Sequence, residues 1–315
     1  MAETSYFGPG SGATGSFSTA RLDLERIDGL AFRIAERRST RRPADRYTIE
    51  SELARGRNAT VLLAHDRQTG QAVALKQPRR HPGADTRFWR EATLTASLDH
   101  PSIVAVLDLG TWPDGTPYYA MPLIEGANLA AHLAAADDRA GRLALLPVVV
   151  AVCDAVAYAH SRGVVHRDIK PSNVLVDRSG APVLIDWGVA VDLVAPAHRE
   201  EASGLFVPTV DLIGTPGYLS PEQAAGLEVD ERADVYALGA VLYHVITGKR
   251  PFAHLPSEAA LAAVRTRAPA PIAEDGDVPA GLVAAVKRAM TRDPSARHRS
   301  AAELADELRG VMPAL

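Results

Sequence analysis

His166-Arg-Asp-Ile-Lys-Pro-Ser-Asn173, followed thirteen residues later by Asp186-Trp-Gly188, is the stretch on which the reading of this chain turns. It gathers two carboxylates, a lysine and a carboxamide, side chains that hold hard cations or anionic groups. Taken singly, each would be an ordinary turn residue on a solvated loop; the run as a whole is far more specific than its parts. Upstream the pattern is that of strands: Tyr47 to Leu53, Ala59 to His65 and Gln71 to Lys76, with turn residues Asp66 to Gly70 between the last two, then Ile103 to Leu109 and Pro117 to Met121. A helix over Thr86 to Leu98 interrupts them. Beyond Gly126 helical spacing takes over, with Leu145 to His160 one long apolar helix and Val235, Leu238, Val241, Leu242 and Val245 a second stripe. The fold class predicted is α+β: a small β-rich lobe with one main helix, ahead of a larger α-helical lobe.

The 315 residues, 47% hydrophobic and 23% charged, suffice for a sizeable core. A formal net charge of -4 gives no general attraction to nucleic acid or anionic membrane, and neither is expected as a partner. Cys153 is the only cysteine, which excludes an intrachain disulfide and a cysteine-built zinc site and suits a reducing, cytoplasmic setting. Its apolar surroundings predict a buried, inert thiol. No leader of basic then apolar residues opens the sequence, and uninterrupted apolar runs fall short of the roughly 18 residues of a membrane span. Residues 1–46 stand apart. Met1 to Ala20, rich in Gly, Ser, Thr and Ala, predicts a disordered tail. Leu24, Ile27, Leu30, Ala31 and Ile34 then recur at the spacing of a short amphipathic helix, which runs into Arg37, Arg38, Arg41, Arg42 and Pro43. This arm is the candidate contact for a second copy or a regulatory partner, with a solvated linker as the alternative.

Together with Val73-Ala-Leu-Lys76 on the third predicted strand, the quoted run resembles the eukaryotic-like serine/threonine protein kinases of bacteria, the Hanks type, over about Tyr47 to Leu308. The resemblance implies a kinase domain over 47–310, with its small lobe over 47–122 and its large lobe over 126–310, transferring the ATP γ-phosphate to serine or threonine hydroxyls of proteins. By it, Asp168 is the catalytic aspartate, Lys170 a positive charge beside the transferring phosphate, and Asn173 and Asp186 the holders of magnesium, with manganese as a substitute. Lys76 reaches the α- and β-phosphates and pairs with Glu91 in Trp89-Arg-Glu-Ala92. Leu53, Gly56, Val61 and Ala74 line the nucleotide site. Met121 is the gatekeeper, and adenine bonds the carbonyl of Pro122 and the amide of Ile124; proline lacks only the donor, so the first of these survives.

Gly214-Thr-Pro-Gly-Tyr-Leu-Ser-Pro-Glu222 is similar to the end of an activation segment, a platform for a protein substrate, with serine at 220 where alanine is commoner. The resemblance pairs Glu222 with Arg297, has Asp234 brace the catalytic loop, and makes Arg167 the partner of a phosphate on the segment, for which Thr209 is the preferred acceptor; Thr215 bonds within the active site. Regulation is expected from that segment, from residues 1–46 or from a partner, because no sensor domain or membrane segment follows Leu315. Two departures stand out. Trp187 replaces the usual phenylalanine. The phosphate-covering loop, Leu53-Ala-Arg-Gly-Arg-Asn-Ala-Thr-Val61, keeps only Gly56 of three glycines, with Ala54 and Ala59 at the others. Because glycine permits positive φ and close approach to phosphate, these alanines make a pseudokinase scaffold the alternative, and restoring glycine is expected to lower the KM for ATP.

Overall fold

The computed structural model describes residues 43–56, 58–79, 84–193, 216–273 and 278–312. The predicted arm up to residue 42, Arg57 in the phosphate loop, and Thr209 and Thr215 lie outside them. β1 (Tyr47–Arg55), β2 (Ala59–Asp66), β3 (Gln71–Pro78), β4 (Asp108–Thr111) and β5 (Pro117–Pro122) form one antiparallel sheet in the order β1-β2-β3-β5-β4. Alternate side chains of a strand point to opposite faces. Thus Tyr47, Ala64, Val73, Leu75, Tyr118 and Ala120 make a small core on one face. Tyr119 and Leu109 pack on the other against Phe88 and Ala92 of helix α1 (Ala84–Ala96). Lys76, next to Leu75, therefore lies on the helix side.

The expected strand from Ile103 to Leu109 is corrected to β4. Ile103 and Val104 are buried, yet their backbone turns away from the sheet: Ile103 forms an isolated parallel bridge with Leu184, and Val104 N–H donates to the Leu184 carbonyl at 3.1 Å. The apolar run is explained by burial against the large lobe rather than by strand pairing.

The large lobe is built round α2 (Leu146–Ser161) and α3 (Arg232–Thr247), both buried on nearly every side, with α4 (Ala280–Ala289) packed on α3 and α5 (Ala301–Val311) on α2. Two-sided burial explains why α2 is apolar all round. The stretch Arg139–Ser161, mean hydropathy 1.9, is by length and composition the one among the described residues able to cross a bilayer. Counting only unbroken apolar runs overlooked it, but its helix is the middle of the large lobe's core, with Val149, Val152, Cys153 and Val156 fully enclosed. Burial pushes the Cys153 thiol far up, away from the reactive thiolate. A small three-stranded antiparallel sheet, β6 (Gly126–Asn128), β8 (Val174–Asp177) and β9 (Pro182–Leu184), floors the cleft between the lobes; β7 (Val164–Val165) leads into the loop that carries Asp168.

Candidate active site

β3 presents Lys76 into the cleft and α1 presents Glu91 towards it. Lys76 Nζ donates to Glu91 Oε1 and, at 2.9 Å, to Asp186 Oδ1. Lys76 is 8% exposed. Burial alone would favour the neutral amine, but Tyr119, Glu91 and Asp186 outweigh it and hold the ammonium well above the ordinary lysine range. The same attraction, chiefly from Lys76, holds Asp186 down at about 2. A depressed carboxylate contributes its pairing fully above the unfolded value and loses it only as pH falls through about 2. Asp186 has φ of 66°, a left-handed backbone rare for a residue with a Cβ, and Gly188 follows because a Cβ there would lie 2.9 Å from Glu91 Oε2.

The loop below is held from α3. Asp234, fully buried, accepts from the backbone N–H groups of His166 and Arg167, both at 2.8 Å, and lies 2.9 Å from His160 Nε2. Burial would raise its carboxyl, but His160 and His166 keep it below the usual range. These bonds fix the bend in which Arg167 takes φ of 69°. Beyond it, Lys170 Nζ reaches Asp168 Oδ2 at 2.5 Å, and Asn173 Nδ2 donates to the Asp168 carbonyl at 2.9 Å and to Asp168 Oδ2 at 3.1 Å. Asp186 is brought alongside because Ile185 N–H donates to the Asn173 carbonyl at 2.9 Å. Trp187 is 1% exposed, its ring centred 4.6 Å from that of His166.

At the back of the cleft Ala74 pairs with Met121 and Val73 with Pro122 across β3 and β5; Ile124 follows, half-buried against the large-lobe core. Val61 faces Lys76 and Ala54 across the sheet, and Leu53, 46% exposed, sits at the register shift of β1. Ala54 and Ala59 are both ordinary strand residues, and neither has a positive φ. Gly56 has none either, and closes its turn by donating to the Ala59 carbonyl at 2.9 Å. Among the described residues of this loop no φ calls for glycine, so the expectation for restoring glycine changes. Ala54→Gly with Ala59→Gly is expected to leave the KM for ATP within about twofold and to cost about 1–2 kcal/mol of stability, the usual penalty of two strand glycines, read from denaturant unfolding and initial rates. Arg55 donates to Glu52 on the surface, at 2.9 Å through Nε.

Below the cleft Arg297 makes a two-pronged pair with Glu222, both bonds 2.7 Å, and spends its remaining donors on the carbonyls of Thr291, Arg232 and Arg292. Ser220 caps the helical turn Pro221–Ala224 in a capping box with Gln223, whose Nε2 continues to the Arg167 carbonyl at 2.8 Å. The serine is thus an N-cap where alanine has no hydroxyl to offer.

Three contacting residues escaped the sequence reading: Tyr119, whose hydroxyl donates to Glu91 Oε1 at 2.9 Å; His160; and Gln223. Tyr119 and His160 act across elements far apart in sequence, so no local spacing reveals them; Gln223 stands at capping-box spacing from Ser220, and only its bond to Arg167 is long-range.

The protein kinase domain profile matches residues 47–307. The chain is 36% identical over 284 residues to a probable serine/threonine-protein kinase of Streptomyces coelicolor, covering 86% of this chain and 41% of that protein. It is 36% identical over 273 residues to the serine/threonine-protein kinase PknB of Mycolicibacterium smegmatis, 84% of this chain and 43% of the relative. To the DNA damage-responsive serine/threonine-protein kinase RqkA of Deinococcus radiodurans it is 42% identical over 213 residues, 66% of this chain and 31% of the relative. The chain thus spans less than half the length of these relatives. With a profile match over most of its length laid on a two-lobed α+β fold, this chain belongs to the protein kinase family.

Proposed function

We propose that the domain is an active serine/threonine protein kinase, and that the residues converging on its cleft transfer the ATP γ-phosphate to protein hydroxyls. The observation that carries this reading is the 2.9 Å contact of Lys76 Nζ with Asp186 Oδ1, which joins a small-lobe strand to a large-lobe loop beside Asp168 and Asn173. Protein kinases use ATP with a divalent metal, and the donors here fit one. Asn173 turns its Nδ2 towards Asp168, which leaves its oxygen for a cation, and Asp186 commits only Oδ1 to Lys76. Among the described residues no cluster of three His, Cys, Asp or Glu side chains forms a metal site of its own, so a cation would draw its other ligands from phosphate and water. Magnesium is the metal of this reading; when bound, it neutralises charge on the β- and γ-phosphates.

In this reading Lys76 steadies the α- and β-phosphates, while Asp168 orients the acceptor hydroxyl and takes its proton. Lys170, 2.5 Å from Asp168, faces the charge passing to the acceptor. Pro122 and Ile124 bond the adenine edge, Met121 stands behind it, and Leu53, Gly56, Val61 and Ala74 cover it. Arg167 receives a phosphate on the activation segment, at Thr209, and Thr215 bonds within the site. Glu222 with Arg297, and Asp234, act as architecture. The reading includes a cytoplasmic setting, supported by the single enclosed thiol of Cys153, and a regulatory role for residues 1–46 as contact for a partner or a second copy. The scaffold alternative rested on Ala54 and Ala59, whose strand backbone gives it no support.

Purified protein with magnesium and γ-labelled ATP is expected to label itself or a basic carrier protein on serine or threonine. Nucleotide bound but never turned over, at any concentration, would overturn this reading in favour of a scaffold.

A further inference from the structure

Tyr119 has no part in the family pattern carried over above, yet it touches both members of the central ion pair. It stands directly opposite Lys76 in the β3–β5 ladder, so both side chains leave the same face of the sheet. Its hydroxyl donates to Glu91 Oε1 at 2.9 Å, on the same oxygen that receives Lys76. Its ring lies 5.9 Å beneath Lys76 Nζ, within reach of a cation–π contact, and 5.3 Å from the ring of Phe88, one turn before Glu91 on α1. The phenol is 2% exposed, so water is not at hand to replace the bond. Glu91 Oε2 lies where a Cβ on Gly188 would meet it at 2.9 Å. The carboxylate is thus held from two strands, by β3 through Lys76 and by β5 through Tyr119.

We infer that Tyr119 is a positioning residue of the kinase reaction, a sheet-borne hydroxyl that fixes Glu91, and with it α1, in the arrangement that aims Lys76 at nucleotide phosphate. This rests on the reading of the cleft as a nucleotide site. A helix free to swing outward takes Glu91 from Lys76. The Tyr119 bond adds a restraint on the paired arrangement that does not depend on any modification of the chain.

The test is a double-mutant cycle read by direct binding of magnesium-ADP in a calorimeter, which needs no turnover. Tyr119→Phe keeps the ring and its packing and removes only the donor. In the otherwise unchanged protein it is expected to weaken ADP about tenfold, the scale of losing one hydrogen bond to a charged group. In a Glu91→Ala background, where the acceptor is gone, the same change is expected to alter affinity less than twofold. Equal effects in both backgrounds, or none in either, would overturn the inference while leaving the nucleotide site intact. A wild-type protein that binds no ADP would overturn the reading of the cleft, and this inference with it.

Discussion

Asp186→Asn is expected to abolish protein labelling, a loss of about a thousandfold or more, or about 4 kcal/mol of transition-state stabilisation. The substitution conserves shape and removes one charge. Lys76 keeps Glu91 as partner, and the loop keeps its Ile185 bond to Asn173, so the fold is expected to persist. What disappears is the negative oxygen proposed for the metal and the attraction that holds Asp186 at about 2. Since that carboxyl is ionised at every pH where the protein would be assayed, lowering the pH to 5 cannot imitate the variant. Any acid limb of the pH–rate profile above that point belongs to another group. Matched thermal unfolding of the two proteins, beside a phosphate-incorporation assay, checks both halves; equal labelling by the variant would remove Asp186 from the chemistry.

Arg297→Ala is expected to cost stability on a comparable scale, about 3–5 kcal/mol, because truncating one partner of an enclosed ion pair leaves the other charged and unmatched. The Arg297 side chain is 0% exposed and Glu222 is 8% exposed as a residue. The carbonyls of Thr291, Arg232 and Arg292 lose a donor as well. Lysine would not repair the damage, since an ammonium cannot match the two carboxylate oxygens with a fork. Arg297→Lys should therefore fall nearer to the alanine variant than to the parent in denaturant unfolding. A shift below about 1 kcal/mol for Arg297→Ala would mean that the pair is peripheral.

The α+β layout was legible because the elements differ in length and punctuation: β2 and β3 are short apolar runs parted by the turn residues Asp66 to Gly70, and α2 and α3 are long and apolar. Residue placement at Lys76, Asp168, Asn173 and Asp186 was legible because short motifs travel as units. The sequence reading faltered where an apolar run is buried without being regular, as at Ile103 and Val104, and where a role is assigned to a residue type without its backbone. Ala54 and Ala59 looked like lost glycines, but strand geometry asks for none there. Tyr119 was out of view for a different reason: its value comes from standing opposite Lys76, and that register exists only once β3 and β5 have paired.

The cores of the two lobes differ greatly in size. One face of the sheet encloses six buried apolar side chains and its other face sets Leu109 and Tyr119 against Phe88 and Ala92 of α1, whereas the large lobe shares one continuous apolar interior, which Leu94 of α1 also joins. Stability within a molecule is graded by such enclosure. On warming, the sheet should loosen while the helices beneath still hold Asp168 and Asn173 in place. Heat inactivation is then expected to begin in the small lobe, ahead of global unfolding.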